Sequence, residues 1–232
     1  MTVHVAMWSG PRNISTAMMR SFDSRADTTV VDEPLYAHYL DATGIDHPGR
    51  SEILASQPRR WEDAVAGLLA VSEKAVFYQK HMTHHLLPQI GREWLGSVSN
   101  AFLIRDPALV VASYSKVRGE PTLADLGYPQ QVSIFRAYGG PVVDAADILR
   151  APADVLPRLC AALDIPWDPA MLSWPSGPRD TDGVWAPHWY SAVIASTGFA
   201  AAPAGPPDVP AHLRGLVSEA APLYEELAAH KL

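Results

Sequence analysis

This 232-residue sequence predicts an α/β fold, three layers deep (α/β/α) around a mostly parallel central sheet, and three observations support that prediction. Over the first 113 residues, short apolar segments with β-branched content alternate with helical periodicities, the pattern of a parallel sheet covered on both faces. The composition, 48% hydrophobic and 19% charged, is that of a chain able to bury a substantial core. The length suits one larger domain, so residues 1–232 are expected to form a single unit.

Residues 3–8 are a short apolar strand that Ser9-Gly10-Pro11 stops. Ile14, Ala17, Met18 and Phe22 then recur at helical spacing and predict a helix over about 14–24. Residues 28–31 form a second strand, ended by Asp32-Glu33-Pro34. Trp61, Val65, Leu68 and Leu69 mark an amphipathic helix, followed by strands at 75–79 and 98–104. Pro107 suits the first turn of a helix over 108–116, where its missing N–H would be unpaired anyway. Helices at 129–138 and 155–163 flank a short strand near Val142-Val143. Residues 166–187, rich in Pro, Gly, Asp and Trp, read as an extended loop, and 188–196 return to helix. A proline-rich linker at 203–210 precedes a C-terminal helix carrying Leu213, Leu216, Val217, Ala220 and Leu227, which Pro222 is expected to break or kink.

The net charge of −7 argues against nucleic acid as a partner, because a phosphate backbone needs a broad basic surface. Any anion site must therefore be local. The single cysteine, Cys160, excludes an intrachain disulfide and a cysteine-based zinc cluster, and its apolar setting reads as a buried thiol. No segment approaches 18 uninterrupted apolar residues and the first residues lack a basic leader, so the expectation is a cytoplasmic protein with no membrane partner.

A turn between a buried strand and a helix aims unpaired backbone N–H groups and the helix dipole at one spot, where an anion fits. Here that turn is Gly10-Pro11-Arg12-Asn13-Ile14-Ser15-Thr16, which adds a guanidinium and two hydroxyls. Counted from Gly10, the pattern G-x-x-x-x-G-K-[ST] fails, because Ser15 and Thr16 stand where its second glycine and lysine belong. An ordinary nucleoside triphosphate hydrolase is disfavoured. A second feature is Phe102-Leu103-Ile104-Arg105-Asp106-Pro107 followed by Ser113, eight residues after the arginine. An arginine at a strand's C-terminal edge and a serine two turns into the next helix can converge on one phosphate.

Together these segments resemble the nucleotide motifs of PAPS-dependent sulfotransferases, a P-loop nucleotide-binding fold. Residues 11–16 are similar to the family's 5′-phosphosulfate loop, with Asn13-Ile14 where Ser-Gly is usual, and Arg105 with Ser113 to its 3′-phosphate motif. VVDEPLYAHYL, YQKHMTHH and DGVWAPHWY resemble a bacterial group similar to the sulfotransferase-like part of plant branched-chain aminotransferase-like proteins. The resemblance implies PAPS as co-substrate, PAP as product, no metal, a small or medium organic acceptor sulfated on a hydroxyl or amine, and a monomer or homodimer. It implies a nucleotide site of Gly10, Pro11, Arg12, Asn13, Ile14, Ser15, Thr16, Arg105 and Ser113, with Arg179 of the late loop as a further 3′-phosphate contact.

For catalysis the candidates are Arg12, Lys80, His81 and Glu33. Lys80 and His81 follow the third strand at the sheet edge where α/β ligands bind, and histidine can be the base at neutral pH. Glu33 follows the second strand, where carbohydrate sulfotransferases of the family use a glutamate base, and it ranks level with His81. His84 and His85 read as simple helix-start residues, while Trp185, Trp189 and Tyr190 read as packing or pocket walls. Two alternatives stay open at this point, a non-catalytic PAP-binding sensor and a kinase with a degenerate loop using Asp32 or Asp106 on a metal.

Overall fold

The computed structural model describes residues 2–118, 120–202 and 205–232, so Pro203 and Ala204 of the expected linker lie outside the described residues. Five parallel strands form one sheet of order β2-β3-β1-β4-β5. The central strand is β1 (Val3–Ser9). From it the chain passes through α1 (Ser15–Asp23) to β2 (Thr28–Asp32) at one edge. It returns through α2 (Tyr36–Thr43), α3 (Arg50–Ser56) and α4 (Trp61–Leu68) to β3 (Val76–Met82), beside β1. It then crosses to β4 (Ser99–Ile104) on the other side of β1, and on through α5 (Pro107–Arg118), α6 (Leu123–Leu126) and α7 (Tyr128–Tyr138) to β5 (Val142–Asp144). The direction of winding therefore reverses at β1, which opens a crevice beyond its C-terminal end.

Helices cover both faces. Val5 and Met7 of β1 pack with Met18, Met19 and Phe22 of α1 and with Leu156 and Leu159 of α9 (Pro152–Ala162), which follows α8 (Ala145–Arg150). On the opposite face Ala6, Trp8, Phe102 and Ile104 meet Val65 and Leu68 of α4, Val132 of α7 and Leu227 of the C-terminal helix. The side chains alternate between the two clusters along β1, as period-2 geometry requires. Each fully buried aliphatic or aromatic side chain contributes about 1.5–3 kcal/mol.

Three expectations are corrected. β3 runs on through Lys80 and His81, so these residues are inside a strand rather than after it, and their side chains face opposite layers. The expected helix at 188–196 is two short ones, α10 (Ala186–Trp189) and α11 (Ser191–Ile194), joined at Tyr190, whose hydroxyl is drawn into the sheet edge. The last helix, α12 (Arg214–Ala228), is not broken at Pro222. Proline removes one N–H there, but Leu223, Tyr224 and Leu227 stay packed on the sheet face, and Glu226 is paired with Arg136 at 2.7 Å.

Candidate active site

The loop between β1 and α1 is held in an unusual shape. Arg12 and Ile14 both have left-handed backbone angles, φ +57° and +41°, and Ile14 is the residue from which α1 starts. Such angles cost about 1–2 kcal/mol each in non-glycine residues, so something must hold them. Asn13 donates from Nδ2 to the Leu103 carbonyl at 2.6 Å, and Arg105 donates from Nη1 to the Arg12 carbonyl at 2.5 Å. Gly10 lets the loop lie against the turn after α6, where a Cβ would stand 2.3 Å from the Leu126 carbonyl oxygen. Thr83 locks the base of this contact by bridging the Ser9 and Gly127 carbonyls at 3.2 and 3.1 Å.

Arg12 reaches across from the loop to Ser113 on α5, Nε to Oγ 2.9 Å. With Asn13, Ser15, Thr16 and Arg105 these residues line a cavity of about 270 Å³, roofed by α10, α11 and the chain to Ala200. Neither Arg12 nor Arg105 forms an ion pair among the described residues. Burial, and then the neighbouring Arg12 charge, hold the Arg105 guanidinium below its usual range. Two guanidinium groups and the start of a nine-residue helix thus converge on one cavity with no carboxylate between them. An anion bearing more than one charge fits there.

A second group lies at the ends of β2 and β3. The Lys80 ammonium is 1% exposed and donates to Asp32 Oδ1 at 2.8 Å, Glu33 Oε1 at 2.5 Å and Tyr190 Oη at 2.8 Å. Tyr190 in turn donates to Asp32 Oδ2 at 2.7 Å, and Trp185 Nε1 donates to the Tyr190 oxygen at 2.9 Å. Burial works against the Lys80 charge, yet Asp32 and Glu33 outweigh it and hold the ammonium charged. Burial pushes the Glu33 carboxyl above the usual range, against the pull of Lys80 and with reinforcement from Asp32. Glu33 sits at φ +41°, a further strained position, and while its Oε1 meets Lys80 its Oε2 lies 4.0 Å from His85 Nδ1.

That carboxylate lines a second, smaller cavity of about 100 Å³ with Pro11, Tyr36, His85, Tyr114 and Trp189. Trp189 lines both cavities, and Pro11 and Arg12 are adjacent on the one loop, so the two meet at the loop between β1 and α1. A group held in the first can face a nucleophile held in the second.

The structure brings Gly10, Pro11, Arg12, Asn13, Ile14, Ser15, Thr16, Arg105 and Ser113 together, with Glu33 and Lys80 beside them. It does not bring His81 there. His81 lies on the opposite face of the sheet, stacked on Trp8 with ring centroids 4.3 Å apart, and burial followed by the Lys80 charge lowers it to about 3. Arg179 is also elsewhere, because it is ion-paired with Asp23 at the far end of α1, about 12 Å of helix from Ser15. Lys80 is turned toward Asp32 and Glu33, which makes it a holder of Glu33, and it does not line the larger cavity. The two carboxylates considered for a metal are occupied, Asp106 by capping the Ala108 and Leu109 amides and Asp32 by Lys80, Tyr190 and the Gly183 amide. Reading the sequence missed Tyr190 and Asp32 as members of the Lys80 network and His85 as a wall of the second cavity.

A parallel sheet covered by helices on both faces, with a guanidinium-lined cavity at its switch point, defines a three-layer α/β protein. Comparison with known proteins refines that class. A family profile described as "Sulfotransferase domain" matches residues 3–231, and the chain belongs to that family. Two proteins of Arabidopsis thaliana, branched-chain-amino-acid aminotransferase-like proteins 1 and 2, are 39% and 34% identical over 229 residues, covering 96% of this chain and 41% of each of theirs. The chain thus spans about two-fifths of the length of these relatives. A sulfotransferase from Alicyclobacillus acidocaldarius shares the fold with a TM-score of 0.58 at 13% identity, over 100% of this chain and 98% of its own. The sulfotransferase domain of the Synechococcus PCC 7002 olefin synthase does so with a TM-score of 0.55 at 16% identity, over 98% and 94%.

Proposed function

We propose that this domain transfers a sulfuryl group from PAPS to a small or medium organic acceptor, with Glu33 as the general base. The observation that carries the reading is the convergence of Arg12, Arg105 and Ser113 on one cavity at the end of β1, in a chain of the sulfotransferase-domain family. PAPS, with phosphate on both sides of its ribose, matches two guanidinium groups that have no carboxylate partner among the described residues. It supplies the activated sulfuryl group, and PAP is the other product.

The chain's own residues then have distinct tasks. Arg12 and the first amides of α1 hold the 5′-phosphate end, while Arg105 and Ser113 hold the 3′-phosphate. Glu33, whose carboxyl burial raises, takes the acceptor's proton as the acceptor oxygen bonds to sulfur. Arg12 meets the negative charge that the broken S–O bond leaves on the 5′-phosphate. Lys80, Asp32 and Tyr190 fix Glu33 in its strained position. Incubation with PAPS and a metabolite extract is expected to add one sulfonate mass to an acceptor with wild type and not with Glu33→Gln, although both bind PAP. Tight PAP binding without product from wild type would overturn the catalytic reading, and turnover by Glu33→Gln would remove Glu33 as base.

A further inference from the structure

His85 stands beside Glu33 with an unanswered polar atom. Its ring is 2% exposed and stacked between Tyr36 and Tyr39, with centroids 4.6 and 4.7 Å away. That sandwich fixes its orientation. Its Nδ1 is buried, has no hydrogen-bond partner, and lies 4.0 Å from Glu33 Oε2. At 4.0 Å the two do not bond directly, and a buried polar atom left unpaired costs about 1–3 kcal/mol. An oxygen about 2.8 Å from each atom would span the gap with an angle of about 90° at that oxygen, within the range a hydroxyl accepts. Both groups line the smaller cavity, which opens beside Pro11 of the phosphate loop.

We propose that Glu33 Oε2 and His85 Nδ1 are a two-point clamp for the acceptor's hydroxyl, which donates its proton to Glu33 and accepts a hydrogen bond from the Nδ1–H of His85. The inference rests on Glu33 being the base of the sulfuryl transfer. The tautomer follows from electrostatics, since an N–H facing a carboxylate is favoured and a nitrogen lone pair facing one is not. Burial, then the neighbouring His84 and His47, keep His85 neutral, so it donates one hydrogen bond and adds no charge. This arrangement selects an alcohol over an amine. A hydroxyl oxygen has two lone pairs, one for Nδ1–H and one for sulfur, whereas an amine nitrogen has a single pair and cannot serve both. The cavity, about 100 Å³, accepts a small alcohol or the hydroxyl-bearing end of a longer one.

Three measurements test the clamp. Nitrogen-15 NMR of histidine-labelled wild type is expected to show His85 protonated at Nδ1, and protonation at Nε2 alone would overturn the proposal. A high-resolution crystal structure of the PAP complex, with ethylene glycol as hydroxyl probe, is expected to place a probe or water oxygen within hydrogen-bond reach of both atoms. A direct Glu33–His85 bond there would overturn it. With the acceptor identified by its mass gain, His85→Phe is expected to lower kcat/KM for the acceptor about 10- to 100-fold while the PAP affinity stays unchanged, because His85 does not line the nucleotide cavity. His85→Asn, whose amide N–H can stand near the Nδ1 position, is expected to recover most of the loss. Equal kinetics for wild type and His85→Phe, no recovery by His85→Asn, or an N-sulfamate product would each refute the clamp. Failure of wild type to bind PAP would instead refute the donor assignment.

Discussion

Replacing Lys80 with methionine keeps an unbranched side chain, one atom shorter, and removes the charge from a site where that charge is 1% exposed and holds three oxygens. Asp32 and Glu33 would then face each other, buried, with the Tyr190 hydroxyl shared between them. Removing one partner of a buried pair costs about 3–5 kcal/mol, which for a chain of this size corresponds to a fall in Tm of about 6–20 °C. The loss depends on pH. Without Lys80 the carboxyl pair binds a proton more tightly in the folded than in the unfolded chain. The folded state then carries more protons, so the variant's stability falls as pH rises, and the penalty is full at pH 8 and smaller at pH 5. Urea unfolding of both proteins at the two pH values measures it. A loss below about 1 kcal/mol at pH 8, or equal losses at both pH values, would refute the picture of a lysine that neutralises two carboxylates.

Gly10→Ala places a Cβ 2.3 Å from the Leu126 carbonyl oxygen, so it is expected to displace the phosphate loop and weaken PAP binding by at least about tenfold, measured by calorimetry. Arg12→Ala is expected to lower both PAP affinity and turnover, and an unchanged kcat would remove it from the reaction. His81→Phe is expected to retain acceptor turnover, since His81 packs on Trp8 away from both cavities. Because His81 titrates near 3 when folded and near its ordinary value when unfolded, the unfolded state binds the extra proton between those values. Wild-type stability should therefore fall with decreasing pH below about 6.5, by up to about 1.4 kcal/mol per pH unit from this residue, and His81→Phe should lose that part of the slope.

The strand-loop-helix from β1 to α1 and the Arg105-to-Ser113 segment were legible because both motifs are contiguous and each carries its own punctuation, a Gly-Pro turn in one and Asp-Pro at a helix start in the other. The end of β3 was not. Gln79-Lys80-His81 looks like a solvated strand end, and only the carboxylates that β2 delivers make a buried lysine affordable at that point. Those residues are 47 and 48 positions away in the chain, so local pattern could not report the pairing. Arg179 is paired over a similar gulf of sequence. The sequence shows a basic residue in a late loop, while its partner Asp23 on α1 is 156 residues distant. In sequence Tyr190 reads as a packing or pocket-wall residue, and its tie to Asp32 is made at the junction of α10 and α11, which local pattern does not show. Glu33 was legible as a turn carboxylate before Pro34, but its left-handed backbone and its place in the wall of the second cavity were not.

The central claim is that the cavity at the end of β1 holds a nucleotide with phosphates on both its 3′ and 5′ positions. Isothermal calorimetry of the wild-type chain with PAP and with AMP tests it most directly, with Arg105→Ala run alongside. PAP is expected to bind about 10- to 100-fold more tightly than AMP, and Arg105→Ala to erase most of that difference, with a smaller loss of AMP affinity because Arg105 also holds the Arg12 carbonyl. Equal affinities for PAP and AMP, or binding of neither, would contradict the account.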